Sequence, residues 1–305
     1  MSSLMRRPVD KFFVALTGLA VILILALLFL VVGNVVRYGT ERLTFEFLTA
    51  APTQGMTEGG IFPAIFGTCL LVLLTTLVGV PFGVSVAIYF SEYANRTSLF
   101  YRATRQAVDN LAGVPSIVFG LFGLGFFVQF VGRGMDRAIY GGQLHYGQPA
   151  LVWAALTMAV LTLPIVIVSV EEALRAVPQV YRDASYALGA TRAQTIFRVV
   201  LPQALPGVLT GTILAVSRAS GEVAPLLFVG AAYFLPHLPS QLSDQFMHLG
   251  YHVFVLTTQS PDVEATKPLL YATVLVLLIL TFLLNAVAIM IRSRLRATFS
   301  AAGNR

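Results

Sequence analysis

Lysine is all but missing from this chain, with two in 305 residues, Lys11 and Lys267. Neither follows a glycine, so no G-x-x-x-x-G-K-[ST] loop exists, and ATP binding through such a loop is excluded. Charge of either sign is scarce, at 11% of residues, where soluble domains carry roughly 25%. A water-facing surface cannot be tiled from so few charges, which excludes a soluble globular protein and a disordered chain. The single cysteine, Cys69, lies inside an apolar run and excludes a disulfide framework. No H-E-x-x-H motif and no cluster of acids and histidines stands within the apolar stretches, which argues against an integral-membrane enzyme.

What the chain has is hydrophobic length. Apolar residues make up 57% of it, and the mean hydropathy is +0.80. A hydrocarbon core of about 30 Å needs roughly 20 apolar residues in a helix. Runs of that size stand at 12–36, 62–90, 110–131, 150–170, 207–235 and 269–291. They lack the alternation of outer-membrane strands, so the expected fold is all-α, six transmembrane helices in one domain over 1–305. The first run follows Arg6, Arg7 and Lys11 as a secretory signal would. It is longer than the usual 7–15-residue apolar core of a signal, about 25 residues, and no small-residue cleavage site closes it, so it reads as a retained span.

Basic residues set the expected orientation. With the N-terminus inside, the inner segments hold Arg6, Arg7 and Lys11, then Arg96, Arg102 and Arg105, then Arg175, Arg182, Arg192 and Arg198, and finally Arg292, Arg294, Arg296 and Arg305. The outer loops hold Arg37, Arg42, Arg133, Arg137 and Lys267. Fourteen against five is a clear positive-inside bias, placing both termini in the cytoplasm. The same rule explains the net charge of +6 and leaves nothing for a nucleic-acid patch.

Two loops hold more than a connection. Segment 236–260 carries His237, His248 and His252, with Asp244 nearby; a metal site would need a third ligand and a supporting shell, and polar interface histidines on an amphipathic surface helix are the commoner explanation. Loop 171–206 reads as a helical hairpin. Pro178 suits a first helical position, Tyr181, Ala184, Ala187 and Leu188 keep helical spacing, and Gly189 supplies the left-handed residue that ends a helix. Thr191 can cap a second helix bearing Ile196, Val199 and Val200, with Pro202 as its stop. Arg182, Asp183, Arg192 and Arg198 fall on the opposite face. Such a knob suits a groove on a soluble partner, or rests on lipid headgroups.

The fifth run carries charge. Arg218 lies about 16 Å along it from Gly207, and a central arginine costs roughly 2.5–3.5 kcal/mol on the translocon scale. Glu222, four residues on, shares a helix face and can pair with it. Either the pair locks two helices together, or it lines a pathway in which Arg218 meets an anion and Glu222 holds the guanidinium. Arginine suits tetrahedral oxyanions because its planar fork binds them bidentately. Ser217 and Ser220 add hydroxyls, or permit close packing. In the third run, Gly113, Gly120, Gly123 and Gly125 allow close helix approach, and Pro115 offers a bend that could pack or gate.

The string Asp183-Ala184-Ser185 through Gly189 to Leu201-Pro202 resembles the EAA loop of ABC-importer permeases, with Asp183 for Glu and Ser185 for the second Ala. Ser217-Arg218-Ala219-Ser220-Gly221-Glu222-Val223-Ala224-Pro225-Leu226-Leu227 is similar to the fifth-helix segment of PstA-type phosphate permeases, with Val223 where threonine is common. Leu111-Ala112-Gly113-Val114-Pro115-Ser116-Ile117 resembles the same family's third helix, and Gly59-Gly60-Ile61-Phe62-Pro63 its entry to the second. The resemblance implies a type I importer permease of the bacterial inner membrane, moving inorganic phosphate by alternating access. It implies that Asp183, Ala184, Ser185, Gly189, Leu201 and Pro202 belong to the loop that docks on an ATPase, and that Arg218 and Glu222 act in transport. It further implies a homologous second permease (PstC-like), a dimer of ATPase subunits (PstB-like) holding ATP-Mg, and an external phosphate-binding protein (PstS-like), with no cofactor on this chain. The alternatives are another oxyanion, such as sulfate, molybdate or phosphonate, a secondary transporter or channel, and a structural scaffold.

Overall fold

The computed structural model describes residues 8–53, 58–260 and 263–303. Arg6, Arg7 and Arg305, three of the charges weighed above, lie outside the described residues. Among the described residues six helices are long and apolar enough to cross a membrane: Asp10–Arg42, Phe62–Tyr93, Ser116–Ile139, Leu151–Arg175, Arg192–Gly221 and Thr266–Arg294. Helices suit such a segment because they satisfy every backbone polar group internally.

In chain order, α1 (Pro8–Gly39) is apolar all round and its central window is entirely exposed. It leans on the last helix, α13 (Val263–Gly303). A short α2 (Phe45–Thr49), capped by Thr44, and the two-residue pair β1 (Pro52–Thr53) and β2 (Glu58–Gly59) lead to α3 (Phe62–Ile88). The chain then loosens into a π turn at Tyr89–Tyr93, crosses the amphipathic α4 (Leu99–Ala112) and returns through α5 (Ser116–Phe122), a π stretch (Gly123–Gly132) and α6 (Arg133–Ile139). Next come α7 (Leu151–Arg175), the hairpin of α8 (Gln179–Ala187) and α9 (Arg192–Thr195), and a π turn at Ile196–Val200. It continues into α10 (Leu201–Gly221), with α11 (Leu226–Val229) and α12 (Leu249–Thr258) before α13.

The bundle is built around α7. Two thirds of its apolar window is buried, 67% against 28% or less for the other five, and α3 and α10 pack along it. Small residues permit this. A Cβ on Gly83 would stand 2.6 Å from Val166 Cγ1, one on Gly207 2.2 Å from Ala173 Cβ, and one on Gly211 2.8 Å from Ser169 Cβ. Backbones brought this close gain dispersion contacts, which drive helix association where lipid is as apolar as leucine. The first N–H groups of α7 would otherwise lack partners. Carbonyls of a later segment take them: Ala150 N–H donates to Val229 O at 2.9 Å, Leu151 N–H to Asp244 O at 2.8 Å and Val152 N–H to Leu242 O at 3.0 Å.

Four expectations need correcting. Residues 110–112 end α4, and the third span begins only at Ser116. Pro115 stands at the junction as the extended residue before α5 (φ −57°, ψ 138°), because a residue without an N–H costs nothing there. The run 207–235 is not one helix: α10 ends at Gly221, and Pro225 then opens the four-residue α11. Pro202 does not stop the hairpin's second helix, which continues to Gly221; the π turn directly ahead of it is a common way for a helix to change register. Segment 236–260 is not one surface helix: only Leu249–Thr258 is helical, and Phe246, Met247, His248, Leu249 and His252 are turned inward and buried.

Candidate functional site

Arg218 sits three residues before the end of α10. Gly207 faces Ala173 and Gly211 faces Ser169 in the antiparallel pair of helices, so Arg218 comes level with Thr162. That is about 16 Å from the Leu151 end of α7 and about 20 Å from the Arg175 end. Arg218 thus lies level with the middle of the central helix α7. Glu222 is the first residue beyond α10, extended at φ −79° and ψ 127°, with its N–H donating to Arg218 O at 3.2 Å. The helix therefore ends between the two partners, yet they still meet: Arg218 Nε donates to Glu222 Oε1 at 3.1 Å. Both side chains keep some exposure, 39% and 24%, and Glu222 occupies Nε while the two terminal nitrogens of the fork have no partner among the described residues.

The serines divide. Ser217 Oγ accepts from Asn285 Nδ2 of α13 at 3.2 Å, so it belongs to a polar seam between α10 and α13. Two turns nearer the hairpin end, Arg292 Nη1 donates to Thr210 Oγ1 at 3.0 Å. Ser220 is buried, and its hydroxyl returns to Ser217 O at 2.9 Å, which places it on the packed side. Among the third-run glycines, Gly120 and Gly123 are held tightly against Pro225 and Thr157, whereas Gly113 and Gly125 have room for a side chain.

The hairpin takes the expected shape at its turn. Gly189 has φ +82°, open to glycine without cost, and Thr191 with Gln194 forms a reciprocal capping box at the start of α9. Ser185 Oγ lies 2.9 Å from Thr195 Oγ1 and ties the two arms together. Asp183 is exposed and accepts from Gln179 Nε2 at 3.0 Å, and Ala184 is exposed beside it. Val180, Tyr181, Tyr186 and Leu188 present an apolar face to the outside, Leu188 at 88% exposure. Leu201 and Pro202 are part of the continuous helix below.

Arg182 does not share the outer face with Asp183. It is buried, and donates to Val177 O at 2.6 Å, Leu174 O at 2.9 Å and Glu92 Oε1 at 2.9 Å. A guanidinium that caps the last carbonyls of α7 and pairs with the end of α3 fastens the hairpin to the bundle. Glu171, also buried, is held by Arg105 and Arg175, and Arg192 lies over the Tyr93 ring at 5.0 Å. Glu92, Glu171, Asn285 and the Arg292–Thr210 contact are absent from the residues singled out by sequence. Their signal was available: each is a polar residue within or at the edge of an apolar run, which is costly unless partnered.

At the opposite end, His248 and His252 are buried, and among the described residues their ring nitrogens have no hydrogen-bond partner. Burial alone lowers both pKa values to about 4, because the charged ring cannot be solvated. Asp244 turns away from them, its Oδ2 accepting from Ser240 and Gln241 N–H groups, which hold its pKa below the usual value. Among the described residues no three histidine, cysteine, aspartate or glutamate side chains gather for a metal ion.

Residues 79–297 match the family described as binding-protein-dependent transport system inner membrane component. A probable ABC transporter permease, YqgI of Bacillus subtilis, is 33% identical over 276 residues, covering 85% of this chain and 88% of that protein. A probable phosphate transport system permease, PstA of Methanocaldococcus jannaschii, is 33% identical over 84% of each chain. A solved bacterial ABC transporter involved in importing the acidic polysaccharide alginate superposes with a TM-score of 0.68 at 15% identity, covering 93% of this chain and 96% of that one; at that identity the likeness is one of fold. The chain belongs to the binding-protein-dependent transport system inner membrane component family, the multi-pass permeases of ABC importers, which work with an ATPase and a substrate-binding protein.

Proposed function

We propose that this chain is the permease subunit through which an ATP-driven importer moves inorganic phosphate into the cytoplasm. The observation that carries the reading is Arg218, near the end of α10 and level with the middle of α7, with Nε tied to Glu222 and its terminal nitrogens without a partner among the described residues. A guanidinium held in that manner presents two parallel donors to a tetrahedral oxyanion. The likeness to relatives named as phosphate permeases supports phosphate as that anion. Both termini and the hairpin face the cytoplasm in this reading, following the distribution of basic residues.

The exposed apolar face of α8 suits the groove of an ATPase subunit, two of which would hold ATP-Mg. Because Ser185 ties α8 to α9 and Arg182 anchors α8 to the ends of α3 and α7, a push on the hairpin passes to three helices together. A second, homologous permease completes the pathway and an external binding protein delivers phosphate, the PstC-like, PstB-like and PstS-like roles of the family.

Uptake of labelled phosphate into vesicles holding the whole complex tests this, with sulfate and molybdate as competitors. Wild type accumulates phosphate unaffected by competitors, and Arg218→Gln loses uptake by about a hundredfold, the loss of a charge-assisted bidentate contact. Uptake of sulfate in place of phosphate overturns the substrate, and normal transport by Arg218→Gln overturns the site.

A further inference from the structure

We infer that Arg292 of α13, with Thr210 of α10, forms a second anion station on the way from Arg218 to the cytoplasm. The inference rests on the phosphate reading above and extends its pathway.

The observations are positional. Thr210 and Ser217 are seven residues apart on α10, and Arg292 and Asn285 are seven apart on α13. Seven residues are two helical turns, so each pair stacks on one face, about 10 Å apart along the axis. The two helices are antiparallel and bonded at both levels, Asn285 to Ser217 at 3.2 Å and Arg292 to Thr210 at 3.0 Å. A polar seam thus descends from beside Arg218 towards the hairpin end. Thr210 comes level with Val170, about 7 Å short of the Arg175 end of α7, so the lower contact lies inside the bundle.

Electrostatics separates Arg292 from four other arginines of the bundle. Arg218 has Glu222, Arg105 and Arg175 share Glu171, and Arg182 has Glu92. Among the described residues no carboxylate pairs with Arg292, which donates to the neutral hydroxyl of Thr210. Arg292 stands in the last turn of its span and is only partly exposed; a cation without an anion there is costly, and a transported oxyanion supplies the missing charge. Asn285 Oδ1 is buried with no partner, so the seam also holds an acceptor matched to the P–OH of a monoprotonated phosphate. One deep site would trap an anion; two weaker sites in line let it enter and leave.

The test uses the complete complex in proteoliposomes, reading phosphate uptake and binding-protein-stimulated ATP hydrolysis together for wild type, Arg292→Gln, Arg292→Lys and Arg218→Gln. Arg292→Gln is expected to lower phosphate moved per ATP about tenfold while hydrolysis persists, and Arg292→Lys to restore about half, since an ammonium binds phosphate as a point charge. Arg292→Gln with wild-type coupling overturns the station, and if Arg218→Gln is dead in the same assay the phosphate pathway itself stands. Loss of uptake and hydrolysis together in both Arg292 variants makes the residue structural and likewise overturns the proposal. Normal uptake by Arg218→Gln removes the reading on which it rests.

Discussion

A buried arginine that pairs with one carboxylate and two carbonyls is hard to replace, and Arg182 is such a residue. Removing Glu92 leaves the guanidinium desolvated and uncompensated, at a cost of about 3–5 kcal/mol. Glu92→Gln is therefore expected to loosen the hairpin while leaving the α10 site intact. The check is phosphate binding to the detergent-purified complex, which stays, against uptake per ATP hydrolysed, which falls. This residue was only half legible in the sequence. Helical spacing separated Arg182 from the apolar stripe, but the polar side of an isolated hairpin and the side turned to a charged partner look alike until the end of α3 is placed beside it. Arg218 and Glu222 were legible for the opposite reason, because a charge pair interrupting an apolar run has no soluble face to belong to.

Helix contact here depends on glycine, and the dependence is specific to position. Gly83→Leu and Gly207→Leu would force side chains into Val166 and Ala173 and are expected to destabilise by about 1–3 kcal/mol each, the usual range for overpacking. Gly125→Ala, with nothing within 4 Å of the added carbon, is expected to be neutral. Thermal unfolding of the purified complex distinguishes these outcomes. The elements themselves were read well from apolar length, since a span must be a helix whatever its neighbours do. Their ends were read poorly. Gly221 closes α10 well inside the apolar run, because residues 222–248 are apolar for a different purpose: apart from the single turn of α11 they are irregular chain, and their carbonyls serve the start of α7.

At the scale of the whole molecule, the two neutral histidines tie stability to pH. Buried His248 and His252 have pKa values of about 4, whereas an unfolded histidine titrates near about 6.5. Between those values the unfolded state binds more protons, so stability rises with pH. It is complete above about pH 6.5 and is lost progressively as pH falls towards 4. The midpoint of unfolding of the complex is expected to drop across that window. His248→Phe with His252→Leu should flatten the dependence, and an unchanged slope in the double variant would assign the effect elsewhere. No sequence pattern announced this, since spacing of four residues says that two histidines share a face and not whether that face sees water.

The central position of α7 also has a consequence for how the protein is made. This helix is the fourth of six to be synthesised, yet much of what covers it, α10 and the segment that takes its first N–H groups, is translated afterwards. While the ribosome is between those points, a helix bearing buried Thr157, Thr162 and Glu171 has only its earlier neighbours to shield it. A nascent chain stopped near residue 190 should therefore be held by the insertion machinery or degraded, and biogenesis should be most sensitive to delay during the thirty or so codons that encode the fifth span.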